Sequence, residues 1–449
     1  MANDVARVVA DLAARFGARC STAAADLEAA SHDASSERPH RPDAVVWPLT
    51  TDEVVDVVAA CAAARVPLTP RGAGSSLEGN PIPVHGGIVL DCSRMTRVIA
   101  VRAADLQVDV EPGVVYAELN RQLRPHGLFF PPSPGGSADW ATVGGMVANN
   151  ASGIYSVKYG GTRDHVRAAT VVTGAGEVLR LGNRARKSAS GYHLLGLLVG
   201  SEGTLGVVTE LTLALAGLPA ARRRGGFVFP DAVAAARATA DTIGHGVDVA
   251  AIEFLDAPTI AALNRFRGFG LTEAPTLLIE VHGSARGVDE TWQIVTEVAA
   301  ASDGVPLPLD DPWAIREHAT RAVEASRPDV ATVRADLAIP IGALPELVAA
   351  CERIARERGL VVHCFGHAGI GILHALVLAG DTERDAAHAA RDALVERALA
   401  LGGSCSGEHG MGLGNRRYAA REHGAAIALM QGVKALFDPH GILNPGKMW

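Results

Sequence analysis

The sequence predicts an α+β protein, and three observations carry that expectation. Helical stretches and short β runs alternate from Ala44 onward, but tight hairpins interrupt them, which a single doubly wound sheet would not show. The 449 residues correspond to about three domain-sized units. The texture then changes around Leu218–Gly226, where LPAARRRGG reads as a linker between differently patterned halves.

Taken in order, residues 3–16 follow an amphipathic helical pattern, and the polar segment SHDASSERPHRPD comes after them. VVWPL reads as a strand and Thr51–Arg65 as a helix with Thr50 or Thr51 as its cap. VPLTP is a strand entering a first glycine cluster, RGAGSSLEGNPIPVHGG. GGIVLDCS, VIAVRAAD and LQVDVEPG follow as β segments, then a helix near Val115–His126. A second cluster, PPSPGGSADWATVGGMVANNASGIYSVKYGGTRDHV, precedes the hairpin VRAATVVTGAGEVLRL, which turns at Gly174 and Gly176. Beyond the linker, helices are expected at Asp231–Ile243, Gly287–Ala301, Leu344–Arg358 and Thr382–Leu401. Strands are expected at AAIEFL, TLLIEVHG, VRADLAIP and VVHCFGHA.

Composition narrows the function. The net charge is −8 with no basic block, which argues against nucleic acid or an anionic membrane surface as main partner. Six scattered cysteines without a C-x-x-C suit a reducing compartment. The N-terminus carries Asp4 and Asp11 and lacks the apolar core of a signal peptide; no apolar run is long enough to span a bilayer. A cytoplasmic protein is expected. Glycine stands out, at 49 residues, or about 11% against a usual ~7%.

The glycines fall in clusters, and their chemistry is that of anion wrapping. In Arg71–Asn80, small residues let several backbone N–H groups converge on one anion, and Ser75 and Ser76 add hydroxyls. The second cluster repeats the design with Thr142, Gly144, Gly145 and Asn149. Two such loops suit a long ligand with a pyrophosphate. A dinucleotide fingerprint of the Rossmann kind fails, because Pro81 and Pro83 interrupt the crossover helix it needs. GILNPGKM near the C-terminus imitates a phosphate loop, but Met448 replaces the required hydroxyl residue. GHAGIGILH sets His367 and His374 seven apart; Gly369 and Gly371 suggest a turn bringing both onto neighbouring strands. SGEHG adds Glu408 and His409. Two histidines with a carboxylate are a common divalent-metal set, although core or surface histidines would read the same way.

TPRGAGSSLEG, PPSPGG…TVGGMVANNASG…KYGGTRDHV and LVGSEGTLGVVTELTL together resemble the FAD domain (PCMH type) of the vanillyl-alcohol-oxidase flavoproteins. GHAGIGILH, SGEHGMG and LNPGK resemble the C-terminal half of one branch: cytochrome-linked D-lactate, D-2-hydroxyglutarate and glycolate dehydrogenases. The resemblance runs from about Arg41 to Trp449. It implies a two-subdomain FAD-binding domain at 41–219 after an N-terminal helical segment at 1–40. A substrate domain with antiparallel sheet follows at 220–400, and a segment at 401–449 returns to the flavin.

Carried over by motif, Arg71, Gly72, Ala73, Gly74, Ser75 and Ser76 would hold the FAD pyrophosphate. Pro134, Gly135, Ser137, Thr142, Gly144, Gly145, Asn149 and Gly153 would line the adenine–ribityl path. Glu202, Gly206, Val207 and Asn444 would complete the pocket. Some relatives attach FAD through a histidine where this chain has Ser75, so FAD is expected to be non-covalent. His367, His374 and Glu408 match the ligands of a divalent metal, zinc or manganese. Arg316, with Thr320 one helical turn on and Arg334 as a weaker match, would bind the substrate carboxylate, and His409 would be the base.

The implied reaction is oxidation of a D-2-hydroxy acid to the 2-oxo acid. The electron acceptor is left open among a cytochrome, a quinone, an electron-transfer flavoprotein and an iron–sulfur subunit, as are a homodimer and peripheral attachment at a membrane. Ile370 and Ile372 depart from the Asp and Asn that relatives carry, which points to a substrate larger and more apolar than lactate; Leu376 disfavours the dicarboxylate. Two competing readings are a metal-dependent hydrolase with structural glycine loops, and a flavin-binding subunit inactive without a partner.

Overall fold

A computed structural model describes residues 2–309 and 311–449. The chain divides into two compact units. The first comprises Met1–Ser152, Gly160–Leu218 and Glu408–Trp449, the second Gly153–Tyr159 and Pro219–Gly407.

The first unit holds two sheets. One has strands β1 (Cys20–Ser21), β2 (Ala44–Val46), β3 (Leu68–Arg71) and β4 (Ile88–Asp91) in the order β1-β2-β4-β3, with the β2–β4 and β3–β4 pairs parallel. The segment 1–40 is not a separate piece. Its strand β1 pairs antiparallel with β2, and Val8, Leu12 and Phe16 of its first helix enter the same core as Val46, Leu68 and Leu90. Helix Thr51–Ala64 buries Val54, Val57, Val58 and Cys61, the i, i+3, i+4, i+7 stripe of an amphipathic helix. Thr50 is its cap, accepting from Glu53 N at 3.2 Å.

The second sheet joins β5 (Val98–Arg102), β6 (Gln107–Val110), β8 (Val166–Val172), β9 (Val178–Gly182) and β10 (Val207–Ala214) in the order β5-β6-β10-β8-β9, all antiparallel. β8 and β9 are the expected hairpin. A short ladder of β7 (Leu128–Phe129) with β11 (Ala216–Gly217) lies beside it. The C-terminal segment returns into the first unit, where Leu443 bridges in parallel to Leu68 at the entry to the first glycine loop.

The second unit is built on a seven-stranded antiparallel sheet. Its strands are β12 (Ala221–Val228), β13 (Ala251–Leu255), β14 (Thr276–Gly283), β15 (Val305–Pro306), β16 (Ala331–Ala338), β17 (Val362–Gly366) and β18 (Ile372–Ala379), in the order β15-β12-β14-β13-β17-β18-β16. The expected linker LPAARRRGG is a correction: most of it is the start of β12. Consecutive arginines are tolerated there because Arg223 pairs with Asp289 and Arg224 with Glu280. Helices Ala257–Arg267 and Trp313–Ser326 bury Ile260, Leu263, Ile315 and Val323 with Leu255, Leu278, Phe365 and Leu376. Each such fully buried aliphatic contributes about 1.5–3 kcal/mol.

Two details of this unit position chemistry. Between β17 and β18 the chain makes one 3-10 turn, Ala368–Ile370, and Gly371 leaves it at φ +73. A Cβ on Gly371 would stand 2.1 Å from Ile339 O, so both conformation and space demand glycine. The other detail is Asp256, which caps helix Ala257–Arg267 through Thr259 N at 2.9 Å and accepts Cys364 N at 2.7 Å. Burial raises its carboxyl to about 7, against the lowering effect of those N–H groups.

Gly371→Ala is expected to destabilise the protein by about 1–3 kcal/mol, seen as a lower urea midpoint with an unchanged slope. For Asp256, the folded state keeps a proton that the unfolded chain releases near pH 4. Its contribution is therefore full below about pH 4 and is lost as pH rises towards about 7. Asp256→Asn should flatten that part of the stability–pH curve, measured by urea unfolding across the window.

Candidate active site

The glycine loops of the first unit surround a cleft with about 1280 Å³ of empty space, its mouth included. Arg71 through Ser76 form one wall. Pro134, Ser137, Thr142, Gly144, Gly145 and Asn149 form another, and Glu202, Gly206 and Val207 a third. Glu408 and His409 line the same cleft.

The walls fit a wrapped anion because they lack side chains where backbone must come close. A Cβ on Gly72 would sit 2.3 Å from Thr142 Oγ1, so the two glycine loops touch only because that position is bare. Thr142 in turn caps the short helix Val143–Asn149, its hydroxyl accepting from Gly145 N at 3.4 Å. By its glycine content this stretch is expected to be the second anion-wrapping loop. Glycines at its start hid a helix whose buried face is Val143, Met146 and Val147.

Several expected ligands have other duties. The Arg71 guanidinium donates to His32 O at 2.8 Å and Ala29 O at 3.1 Å, so it anchors the N-terminal segment and lends the cleft its backbone. Asn444 does not line the cleft. It is buried at φ +40 and donates to Asn80 O at 2.9 Å and Glu202 O at 2.7 Å, bracing the walls from behind. Gly135 is also absent from the cleft lining, and Gly153 opens the segment that belongs to the second unit. The phosphate-loop mimic resolves as structure: Lys447 is buried and donates to Ile82 O at 2.6 Å. Burial lowers it to about 8, with Glu202 acting in the opposite sense.

Glu202 holds the cleft together. Wholly buried at φ +53, it accepts from Asn80 Nδ2 at 2.6 Å, Met411 N at 2.6 Å and Gly412 N at 2.9 Å. Burial raises its carboxyl despite these donors. Just before Met411, Glu408 accepts from Ser152 Oγ at 2.8 Å, and His409 O accepts from Asn149 Nδ2 at 3.2 Å.

In the second unit, the turn after β17 brings His367 and His374 together, with ring centroids 5.4 Å apart and planes at 88°. Each has a carboxylate beside its Nδ1. Glu253 Oε1 is 2.7 Å from His367, and Asp336 Oδ1 is 3.2 Å from His374, its cross-strand neighbour. Glu253 Oε2 also accepts from Arg316 Nε, and the guanidinium rests on the Phe365 ring at 5.3 Å. Burial would raise Glu253, but His367 and Arg316 outweigh it and hold the carboxyl below its ordinary value. Thr320, one turn beyond Arg316, is exposed, and Arg334 is paired with Glu324. His363 is buried, and burial lowers it to about 4, which keeps it neutral.

The sequence reading missed Glu253 and a second buried cluster. There Glu280 accepts from Tyr155 at 3.3 Å and Arg224 at 3.0 Å, and lies 2.7 Å from His282 Nε2, whose Nδ1 is 2.8 Å from Tyr159 Oη. The signal was present: a single acid inside an apolar strand, AIEFL or TLLIEVHG, requires a buried partner.

A unit whose glycine loops wall a cleft, in one chain with a unit carrying paired histidines, is the make-up of a flavin-binding oxidoreductase. The chain matches the FAD binding domain family over residues 42–182 and the C-terminal domain of FAD linked oxidases over 218–448. It belongs to that FAD-linked oxidase family. It is 37% identical to the mitochondrial D-lactate dehydrogenase [cytochrome] of Arabidopsis thaliana, over 91% of this chain and 73% of the relative. With the glycolate oxidase subunit GlcD of Bacillus subtilis the identity is 34%, over 93% and 91%. Among solved structures, p-cresol methylhydroxylase superposes with TM-score 0.82 at 17% identity, over 100% of this chain and 97% of that one, a likeness of fold. Neither the hydrolase nor the incomplete-subunit reading gains support from these matches. Among the described residues no helix is long and apolar enough to cross a membrane.

Gly72→Val should displace Thr142 from the loop junction and lower flavin occupancy several-fold. The ratio of visible flavin absorbance to protein absorbance in the purified variant measures it.

Proposed function

We propose that this protein is an FAD-dependent dehydrogenase that oxidises a D-2-hydroxy acid to the 2-oxo acid, the substrate being D-lactate or a larger, more apolar analogue. The observation that carries the reading is the grouping of Arg316, Glu253, His367 and His374 in one buried part of the second unit. It combines a carboxylate-binding guanidinium with two histidines whose Nδ1 atoms face carboxylates, the arrangement typical of metal-ligating imidazoles. The names of the curated relatives agree, each a D-lactate dehydrogenase or a glycolate oxidase subunit.

When bound, FAD supplies the hydride acceptor, and a divalent metal, zinc or manganese, supplies a Lewis acid for the substrate hydroxyl. Residues Arg71–Ser76 and the Thr142–Asn149 wall, which line the cleft, would hold the FAD, and with Ser75 in place of a histidine the first loop would make no covalent link to it. His367 and His374 are proposed as metal ligands through Nε2, with Glu408 as the third.

The protein's own part in the chemistry is binding and proton transfer. Arg316 is held by its Nε edge, so its terminal N–H groups serve the substrate carboxylate as a fork. His409, on the cleft wall, takes the hydroxyl proton. Ile372, buried opposite Ala338 and two residues before His374, gives the substrate chain an apolar neighbour. The electrons leave to a separate acceptor, a cytochrome, quinone, electron-transfer flavoprotein or iron–sulfur subunit.

Anaerobic mixing with a panel of D- and L-2-hydroxy acids tests the reading. D-enantiomers are expected to bleach the flavin, with longer apolar chains at least as fast as lactate. Bleaching by the L-series alone, or by none of the panel with flavin and metal bound, refutes it.

A further inference from the structure

We propose that Glu253 is a positioning residue that couples the carboxylate clamp Arg316 to the metal ligand His367, so that substrate capture and metal binding share one buried charge. The inference rests on the functional reading above, in which Arg316 meets the substrate and His367 binds a metal.

Glu253 lies in the middle of β13 and is 0% exposed. Its oxygens are divided between partners from two elements: Oε1 is 2.7 Å from His367 Nδ1, just past β17, and Oε2 accepts Nε of Arg316, on helix Trp313–Ser326. A carboxylate on Nδ1 fixes the tautomer, makes Nε2 the ligand nitrogen and raises the basicity of the ring. A carboxylate on Nε of an arginine fixes the plane of the guanidinium and so aims its other N–H groups. Phe365 supports that plane from below, at 5.3 Å. Both effects come from the same three atoms of one side chain.

The neighbouring histidine provides the contrast. His374 has its own carboxylate, Asp336, at 3.2 Å, on a strand that brings no arginine to it. Arg334, two residues away on that strand, goes to Glu324 instead. One histidine thus stands beside an acid that also accepts from Ser406 Oγ and meets no arginine of its strand, while the other shares its acid with the clamp. Sharing makes the two sites interdependent. An anion bound at Arg316 draws on the guanidinium charge that otherwise neutralises Glu253, and leaves the carboxylate more fully to His367. Substrate carboxylate and metal should therefore each favour the binding of the other.

The test uses the full flavin-loaded protein, stripped of metal with a chelator and titrated with Zn²⁺ against a chromophoric competitor. In Glu253→Gln, zinc affinity should fall by about 10–100-fold. At saturating zinc, KM for the best 2-hydroxy acid should rise by about ten-fold. Zinc affinity and KM both within about two-fold of wild type in Glu253→Gln would overturn the proposal. A change in only one of them also overturns it, since the carboxylate then serves a single partner.

Should Glu253→Gln alone not fold, Glu253→Gln/Arg316→Met removes both buried charges, which packed interiors tolerate better. Compared with Arg316→Met, the double variant should bind zinc about 10–100-fold more weakly; equal affinity refutes the coupling. If wild-type protein takes up no zinc and no 2-hydroxy acid bleaches its flavin, the functional reading fails and this inference with it. An active, zinc-binding wild type with an unmoved variant removes the coupling alone.

Discussion

A carboxylate removed from water must find donors or be neutralised, and the cleft of the first unit is organised around one such group. Glu202 collects Asn80 from the first glycine loop and two backbone N–H groups from the segment that follows His409. Asn444 binds the carbonyls of both Asn80 and Glu202. Removing the acid would leave several buried donors without partners, each costing about 1–3 kcal/mol. The loops therefore owe their shape less to glycine flexibility than to a buried charge that fixes where flexible chain must stop. In the second unit Glu253 and Glu280 obey the same rule, each surrounded by histidine and arginine.

Much of the fold was legible because local pattern and tertiary burial agree. Thr51–Ala64 announces itself by cap and stripe, and the β8–β9 hairpin by Gly174 and Gly176 between β-branched runs. The turn between His367 and His374 follows from an odd spacing with two glycines inside it. Where reading failed, burial overrode composition. Three arginines and two glycines look like linker, yet β12 runs through them because acids stand beside two of the arginines. The glycines of Val143–Asn149 look like loop, yet buried apolar neighbours hold them helical.

The candidate site was legible in its residue types and less so in their partners. Motifs singled out the glycine walls, the histidine pair and Arg316 as candidates. They did not tell that the Arg71 guanidinium would turn to the carbonyls of Ala29 and His32, because such contacts depend on a segment some forty residues away in sequence. Glu253 was legible only in part. A lone acid in the apolar strand AIEFL calls for a buried partner, but which partners it has shows only once β13, β17 and a helix meet at its carboxylate.

The first unit is threaded from three stretches of chain, and its last contribution is Leu443, Asn444 and Lys447. A ribosome works from one end, so these residues emerge only after the whole second unit. Until then, the strand carrying Leu68 lacks its bridge partner, and the carbonyls of Asn80 and Glu202 lack Asn444. Vectorial synthesis thus leaves the braces behind the cleft walls to be set last, after every residue that lines the cleft has been made.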